Sequence, residues 1–127
     1  MLMRAVAISA LSIVGSGAVA AQELSPYGVW LRGDGNARVR IAPCGSQVCA
    51  TNLWIKDTSE GEEVGDQLIM SLERKSDTEL VGSAYDPKRD ITYAITVTVG
   101  ANSLTTRGCV LGGLLCKDVN WTPANEG

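Results

Sequence analysis

The fold is decided by one stretch in the second half of the chain, Ile91-Thr92-Tyr93-Ala94-Ile95-Thr96-Val97-Thr98-Val99. Large apolar side chains alternate here with threonine and alanine, so one face of the segment carries Ile91, Tyr93, Ile95, Val97 and Val99. A period of two is typical of a half-buried β-strand, and β-branched residues favour extended backbone. The stretch therefore predicts a strand with one face in the core and the other in solvent.

The same alternation recurs along the chain and is interrupted by turn-forming residues. It predicts seven further strands, near residues 28–32, 37–43, 48–56, 67–74, 79–85, 103–110 and 115–122. The Asp, Asn, Gly and Pro residues between these segments are typical of hairpin turns. Eight short strands joined mostly by hairpins favour an all-β, up-and-down antiparallel β-barrel, because closure removes the exposed sheet edges. A β-sandwich is the alternative.

The first residues predict export. Residues 1–21 have the parts of a cleaved signal peptide, with an apolar run at 5–14 and small residues that permit cleavage near Ala20 or Ala21. The apolar run is shorter than the roughly 20 residues that a membrane-spanning helix needs, and no later segment is apolar enough for one. We therefore expect a periplasmic or secreted protein in which residues 22–127 form a single domain.

Composition argues against several functional classes. Removal of residues 1–21 takes away Arg4, one of 11 basic residues, and leaves 10 against 14 acidic ones, a net charge of −4. An acidic surface disfavours nucleic acid as a partner. Histidine is absent, which removes the usual general base and the commonest metal ligand. No nucleophile motif or phosphate-binding loop has the required spacing, so we expect no enzyme, no metal and no cofactor.

All four cysteines lie in residues 22–127, and export would place them in an oxidising compartment. Four cysteines allow three pairings, of which the sequence favours Cys44–Cys49 with Cys109–Cys116. The segment between Cys109 and Cys116 is symmetric about Gly112-Gly113, so a hairpin turn there would set these two cysteines opposite each other. A zinc site built from all four is the rival interpretation, but their spacings differ from the usual two-residue knuckle of zinc ligands.

Two groups of apolar side chains are candidates for function. A small cavity inside the barrel, binding an apolar or amphipathic ligand, could be lined by Trp30, Trp54, Tyr93 and Trp121. For so short a chain, however, a filled interior is favoured. Partner contacts could be made at the tip of the last hairpin by Val110, Leu111, Leu114 and Leu115. We expect this tip to fold over the barrel end as a plug, with docking on an envelope protein or a membrane surface as the alternative.

The segment from Asp57 to Asp66 is acidic at five of its ten positions. Several carboxylates close together could hold calcium. The spacing is not that of an EF-hand loop, so a solvated loop is the favoured interpretation.

Several short motifs follow one another over nearly all of residues 22–127: Gly28-Val29-Trp30, Pro43-Cys44-Gly45, Cys49, Leu53-Trp54-Ile55-Lys56, Tyr85-Asp86-Pro87, Thr92-Tyr93, Arg107-Gly108-Cys109, Leu115-Cys116 and Trp121-Thr122. Their order resembles that of the bacterial domain-of-unknown-function family 2147, a group of small exported proteins. The resemblance implies a compact barrel similar to the calycins, and Gly28-x-Trp30 also resembles the lipocalin signature. It implies no established activity, substrate or catalytic residue.

The sequence departs from that family pattern in two loops. The segment after Lys56 is short and rich in glutamate, whereas in relatives it looks longer and rich in Asp, Asn and Pro. The turn after Asp86-Pro87 reads Lys88-Arg89-Asp90-Ile91, without the expected glycine. A ligand contact that relatives make through either loop is therefore not carried over to this chain.

Overall fold

A computed structural model describes residues 23–125, and within them eight antiparallel strands form a closed barrel in sequence order. The predicted up-and-down barrel is confirmed. The predicted signal peptide, residues 1–21, lies outside the described residues. The strands are β1 (Gly28–Arg32), β2 (Ala37–Cys44), β3 (Gln47–Ile55), β4 (Gln67–Arg74), β5 (Glu79–Asp86), β6 (Ile91–Val99), β7 (Leu104–Val110) and β8 (Leu115–Pro123).

The barrel closes where β8 pairs with β1, with Leu31 opposite Thr122 and Arg32 opposite Trp121. Each observed strand agrees with its predicted range to within one residue at either end. The alternation that predicted β6 also holds, because Ile95, Val97 and Val99 are buried. Strands that follow one another in the chain are joined by short connections, except β3 and β4, which are linked by the acidic segment.

Alternating strand directions give the barrel two different ends. The upper end carries the β1–β2 turn, the acidic segment, the β5–β6 turn and the tip of the β7–β8 hairpin; the lower end carries the other turns and the N-terminal residues. Residues 23–27 close the lower end. The amide of Leu24 donates to the Asp77 carbonyl (2.9 Å), Arg74 Nη2 donates to the Leu24 carbonyl (2.7 Å), and the indole of Trp30 donates to the Pro26 carbonyl (2.9 Å).

Both favoured disulfides form, Cys44–Cys49 and Cys109–Cys116. Cys109 lies directly opposite Cys116 in the β7–β8 ladder, as the symmetry about Gly112-Gly113 predicted. Both glycines have positive φ, 65° and 94°, which a two-residue hairpin turn of this hand requires. Pairing ends at Val110 and Leu115, one step short of the Leu111–Leu114 pair that would flank a two-residue turn, because Leu111 also takes a positive φ of 55°.

The turn that lacks the expected glycine keeps the glycine conformation. Asp90 has φ 56°, a left-handed geometry that Asp tolerates better than most residues. Its carboxylate accepts a hydrogen bond from the Tyr85 hydroxyl at 2.9 Å, which raises the pKa of that phenol. Asp90 therefore substitutes for glycine in this turn. Separately, residues 23–125 contain no helix long and apolar enough to cross a lipid bilayer.

Candidate functional site

The barrel encloses an open cavity of about 450 Å³. The expectation of a filled interior is wrong, because several inward positions carry small side chains, among them Ala50, Ala84 and Gly108. The wall of the cavity is mostly apolar and includes Val39, Ile41, Leu68, Met70, Leu72, Ile95, Val97 and Val119. Volumes of this size are typical of sites for small molecules.

Two of the four predicted aromatic residues line this cavity, Tyr93 and Trp121. Trp121 is held in place by a hydrogen bond from its indole nitrogen to the Thr106 hydroxyl, 3.0 Å long. Trp30 instead belongs to the packed core below the cavity, where it is 7% exposed and its indole donates to Pro26. The cavity is therefore bordered by aromatic surface on one side rather than surrounded by it.

Trp54 lies on the outer face, so the expectation that it lines the interior is wrong. The β2–β3 ladder shifts by one residue between Arg38 and Val39, which pair with Trp54 and Asn52 and leave Leu53 as the extra residue. Such a bulge exchanges the two faces of the strand beyond it. Asn52 consequently lines the cavity, and Trp54 turns outward, where the Arg38 guanidinium lies 4.7 Å from its ring centre.

Charged side chains surround the mouth of the cavity at the upper end. Arg32, the last residue of β1, donates two hydrogen bonds to the Glu62 carboxylate and one to Asp34 Oδ1 at 3.0 Å. The side-chain amide nitrogen of Asn36 also donates to the Glu62 carboxylate, at 3.0 Å. Chiefly because of the Arg32 hydrogen bonds, the pKa of Glu62 is lowered and that of Arg32 is raised. Both groups are therefore fully charged at neutral pH.

A second ion-pair group lies on the β5–β6 turn. Lys88 Nζ donates to Glu63 Oε1 (2.6 Å), to Asp66 and to the Gly61 carbonyl (2.9 Å). Its pKa is raised, chiefly by the hydrogen bond to Glu63. These contacts join the β5–β6 turn to the acidic segment.

Asp86 is a buried carboxylate at the end of β5, only 6% exposed. It accepts hydrogen bonds from the amides of Lys88 (3.0 Å) and Arg89 (3.2 Å), and Arg89 Nη1 lies 2.9 Å from Oδ2. The hydrogen bond to Asp86 raises the pKa of Arg89. A buried charge is tolerated only when it is paired and hydrogen-bonded, and Asp86 satisfies both conditions.

The acidic segment is therefore more than a solvated loop. Glu62 is held by β1, and Glu63 and Asp66 by Lys88, so the segment spans the mouth from β1 to the β5–β6 turn. Among the described residues, no group of three or more His, Cys, Asp or Glu side chains is placed to hold a metal ion. Three of the five carboxylates that suggested calcium, Glu62, Glu63 and Asp66, serve as partners for Arg32 and Lys88.

Lys117 differs from the other cations around the cavity. It faces inward from β8, opposite Gly108, and lines the cavity on the same face of the strand as Val119 and Trp121. Among the described residues, no carboxylate forms an ion pair with Lys117. Its charge acts at longer range on Asp34, whose pKa is lowered first by Arg32 and to a smaller extent by Lys117.

The tip of the β7–β8 hairpin projects from the same end of the barrel. Leu111, Leu114 and Leu115 are 67%, 83% and 59% exposed, and Val110 is half-buried. The predicted plug is wrong, since a plug would bury these side chains against the barrel. A short turn at Leu111–Gly113 forms the tip, and the Cys109–Cys116 disulfide lies directly behind it.

The fold and the cavity define a class: a small, disulfide-bonded, closed antiparallel β-barrel with an apolar interior and a charged mouth. Residues 28–123 match the family model described as "Uncharacterized protein conserved in bacteria (DUF2147)". The chain belongs to this family, as its motifs suggested. No curated protein and no solved structure matches the chain.

Proposed function

We propose that this protein is an exported, non-catalytic barrel that binds a small apolar or amphipathic ligand in its interior. The observation that carries the proposal is the open cavity of about 450 Å³, with an apolar wall and a charged mouth. Burial of apolar ligand surface against such a wall is favourable by about 25 cal/mol per Å². The charges at one end supply an environment for a polar head group, which a uniformly apolar cavity would lack.

Export is supported by two features of the chain. Residues 1–21 have the composition of a signal peptide, and both disulfides are of the kind found in oxidising compartments. A non-catalytic role is supported by the chemistry of the charged groups at the mouth. Glu62, Asp66 and Asp86 each form an ion pair with a cation of the mouth, which gives these carboxylates a structural role.

The test is native mass spectrometry of the protein purified from the envelope of its own host, before and after denaturation. We expect an added mass that is lost on denaturation. The Gly108→Phe variant should lose the added mass, because a ring at this lining position would occupy the cavity. The matched control is Gly108→Ala, whose Cβ makes only an ordinary contact, 3.8 Å from Tyr93. A bare wild-type mass that also fails to take up added amphiphiles would contradict the proposal.

A second function is supported by the exposed hairpin tip. Apolar side chains this exposed, next to one another, are typical of surfaces that contact another protein. An envelope partner would be lost from co-purification in the double variant Leu111→Asp, Leu114→Asp. The control is Val64→Asp, which changes another exposed apolar side chain, 64% exposed, away from the tip. Unchanged co-purifying proteins in the double variant would count against this second function.

A further inference from the structure

The charges at the cavity mouth distinguish between kinds of ligand. Within residues 23–125, three carboxylates line the cavity, and each has a cation: Glu62 has Arg32, Asp66 has Lys88, and Asp86 has Arg89. A cationic ligand head would have to displace one of these partners. Breaking such a pair exposes the charges to unfavourable, partly desolvated surroundings. The mouth therefore offers little to a positively charged group.

The cations that line the cavity differ in whether they form an ion pair with a carboxylate. Arg32 and Arg89 are held by carboxylates, whereas Lys117 forms no ion pair with any described carboxylate. Lys117 follows the alternation of β8 above Val119 and Trp121, so one face of this strand carries apolar surface below and a charge above. An ammonium donates three hydrogen bonds and accepts none, so its natural partner is an anionic oxygen.

We infer that the ligand is an amphiphile with a single anionic head, such as a carboxylate, which pairs with Lys117 while its apolar part lies along Val119 and Trp121. The inference rests on the proposed function and adds the charge and the orientation of the ligand. Each additional methylene buried in the cavity should tighten binding about three- to fourfold. The head group sets the preference among ligands of equal chain length.

The test is calorimetric titration of the delipidated protein with decanoate, decanol and decyltrimethylammonium, all below micellar concentration. We expect decanoate to bind about tenfold more tightly than decanol. This ratio lies between the ratios that correspond to the free energy of an exposed ion pair and to that of a buried charged hydrogen bond. Decyltrimethylammonium should bind most weakly. The preference for decanoate should shrink at high salt, because the mouth is open to solvent.

Variants assign the preference to one side chain. Lys117→Met should bring decanoate down to the affinity of decanol and leave decanol unchanged, whereas Lys117→Arg should keep the preference. The control is Lys75→Met, on the β4–β5 turn at the lower end. Equal binding of all three probes, or a Lys117→Met variant that keeps the preference, would overturn the inference and leave the proposed function standing. If none of the three probes binds, the proposed function itself fails.

Discussion

Alanine should have opposite effects at two inward-facing glycines of the barrel, Gly82 on β5 and Gly108 on β7. A Cβ built on Gly82 would lie 1.8 Å from the carbonyl oxygen of Ser71 and 3.2 Å from the Cα of Leu72, both backbone atoms of β4. A Cβ on Gly108 meets no atom closer than the Tyr93 ring at 3.8 Å. Neither glycine has a positive φ, so the difference lies in the neighbouring atoms alone.

The magnitudes follow from these distances. Real Cβ atoms essentially never approach closer than 3.0 Å, so β4 and β5 would have to separate by at least 1.2 Å at Gly82, the difference between 3.0 and 1.8 Å. Such a separation breaks the ladder hydrogen bonds beside the Leu72–Gly82 pair, at about 1–3 kcal/mol for each buried group left unpaired. We expect Gly82→Ala to lose about 3–5 kcal/mol and Gly108→Ala to gain about 0.5–1 kcal/mol by restricting the unfolded chain.

The assay is urea unfolding at equilibrium, followed by tryptophan fluorescence and extrapolated linearly to water. Total stabilities of small domains are about 5–15 kcal/mol, so Gly82→Ala should unfold at much lower urea or fail to fold. The result that refutes the reasoning is a similar change in both variants. A loss of stability in Gly108→Ala alone would mean that the cavity beside Tyr93 is closed.

Three further outcomes are expected at the mouth and the hairpin tip. Glu62→Gln should lower the free energy of unfolding by about 1–2 kcal/mol at pH 7. Because Arg32 lowers the pKa of Glu62, this stabilisation is present above the ordinary pKa of 4.5 and is lost as the pH falls through the lower pKa of the folded state. In urea unfolding at several pH values, the free energies of wild type and variant should therefore converge in acid. A difference that stays constant with pH would contradict the assignment. Replacing Cys109 and Cys116 by serine should lower the free energy of unfolding by about 2.5 kcal/mol, because the unfolded chain is no longer restricted by the short disulfide-closed loop. The same urea unfolding measures this loss. If decanoate binding is lost as well, the hairpin also shapes the cavity. Leu114→Asp should change stability by less than about 0.5 kcal/mol, since the side chain is 83% exposed; a larger loss in thermal unfolding would mean that the tip is packed after all.

Most of the fold could be predicted because each strand has one face in the core and one in solvent. In β6 this produces an alternation that no helix would show, and turn-forming residues mark where each strand ends. The pairing of Cys109 with Cys116 could be predicted for a related reason. Residues at equal distances before and after a two-residue turn lie opposite each other in the hairpin, so a sequence symmetric about the turn predicts which residues pair.

Trp54 marks a limit of that reasoning. Strict alternation places it on the same face as Asn52, but the extra residue at Leu53 reverses the faces of β3 beyond that point. A bulge adds one residue without changing composition or periodicity enough to be noticed. The outcome depends on how Arg38 and Val39 pair across the ladder, which is a property of two strands and not of either sequence segment alone.

The ion pairs at the mouth were missed for a similar reason. Glu62 and Arg32 are 30 positions apart in the chain, and the acidic segment between β3 and β4 shows no periodicity that would indicate its partners. Lys117 is different, because it stands two positions before Val119 and four before Trp121 on a predicted strand. Alternation alone puts all three on one face, so an inward charge near the start of β8, at the upper end of the barrel, could have been predicted.

The cavity also left a signal in the sequence, in the order of side-chain sizes along single strands. From the lower to the upper end, the inward positions of β5 read Leu80, Gly82, Ala84, and β7 begins with the fully buried Leu104 and reaches Gly108. On these two strands the larger side chains lie toward the end that residues 23–27 close, and the smaller ones lie toward the charged mouth. Chain length predicted a filled interior, and chain length does not tell where along a strand the small residues lie. Small inward residues on both sides of Tyr93, Ala84 on β5 and Gly108 on β7, are therefore the signal in the sequence for space at this end of the barrel.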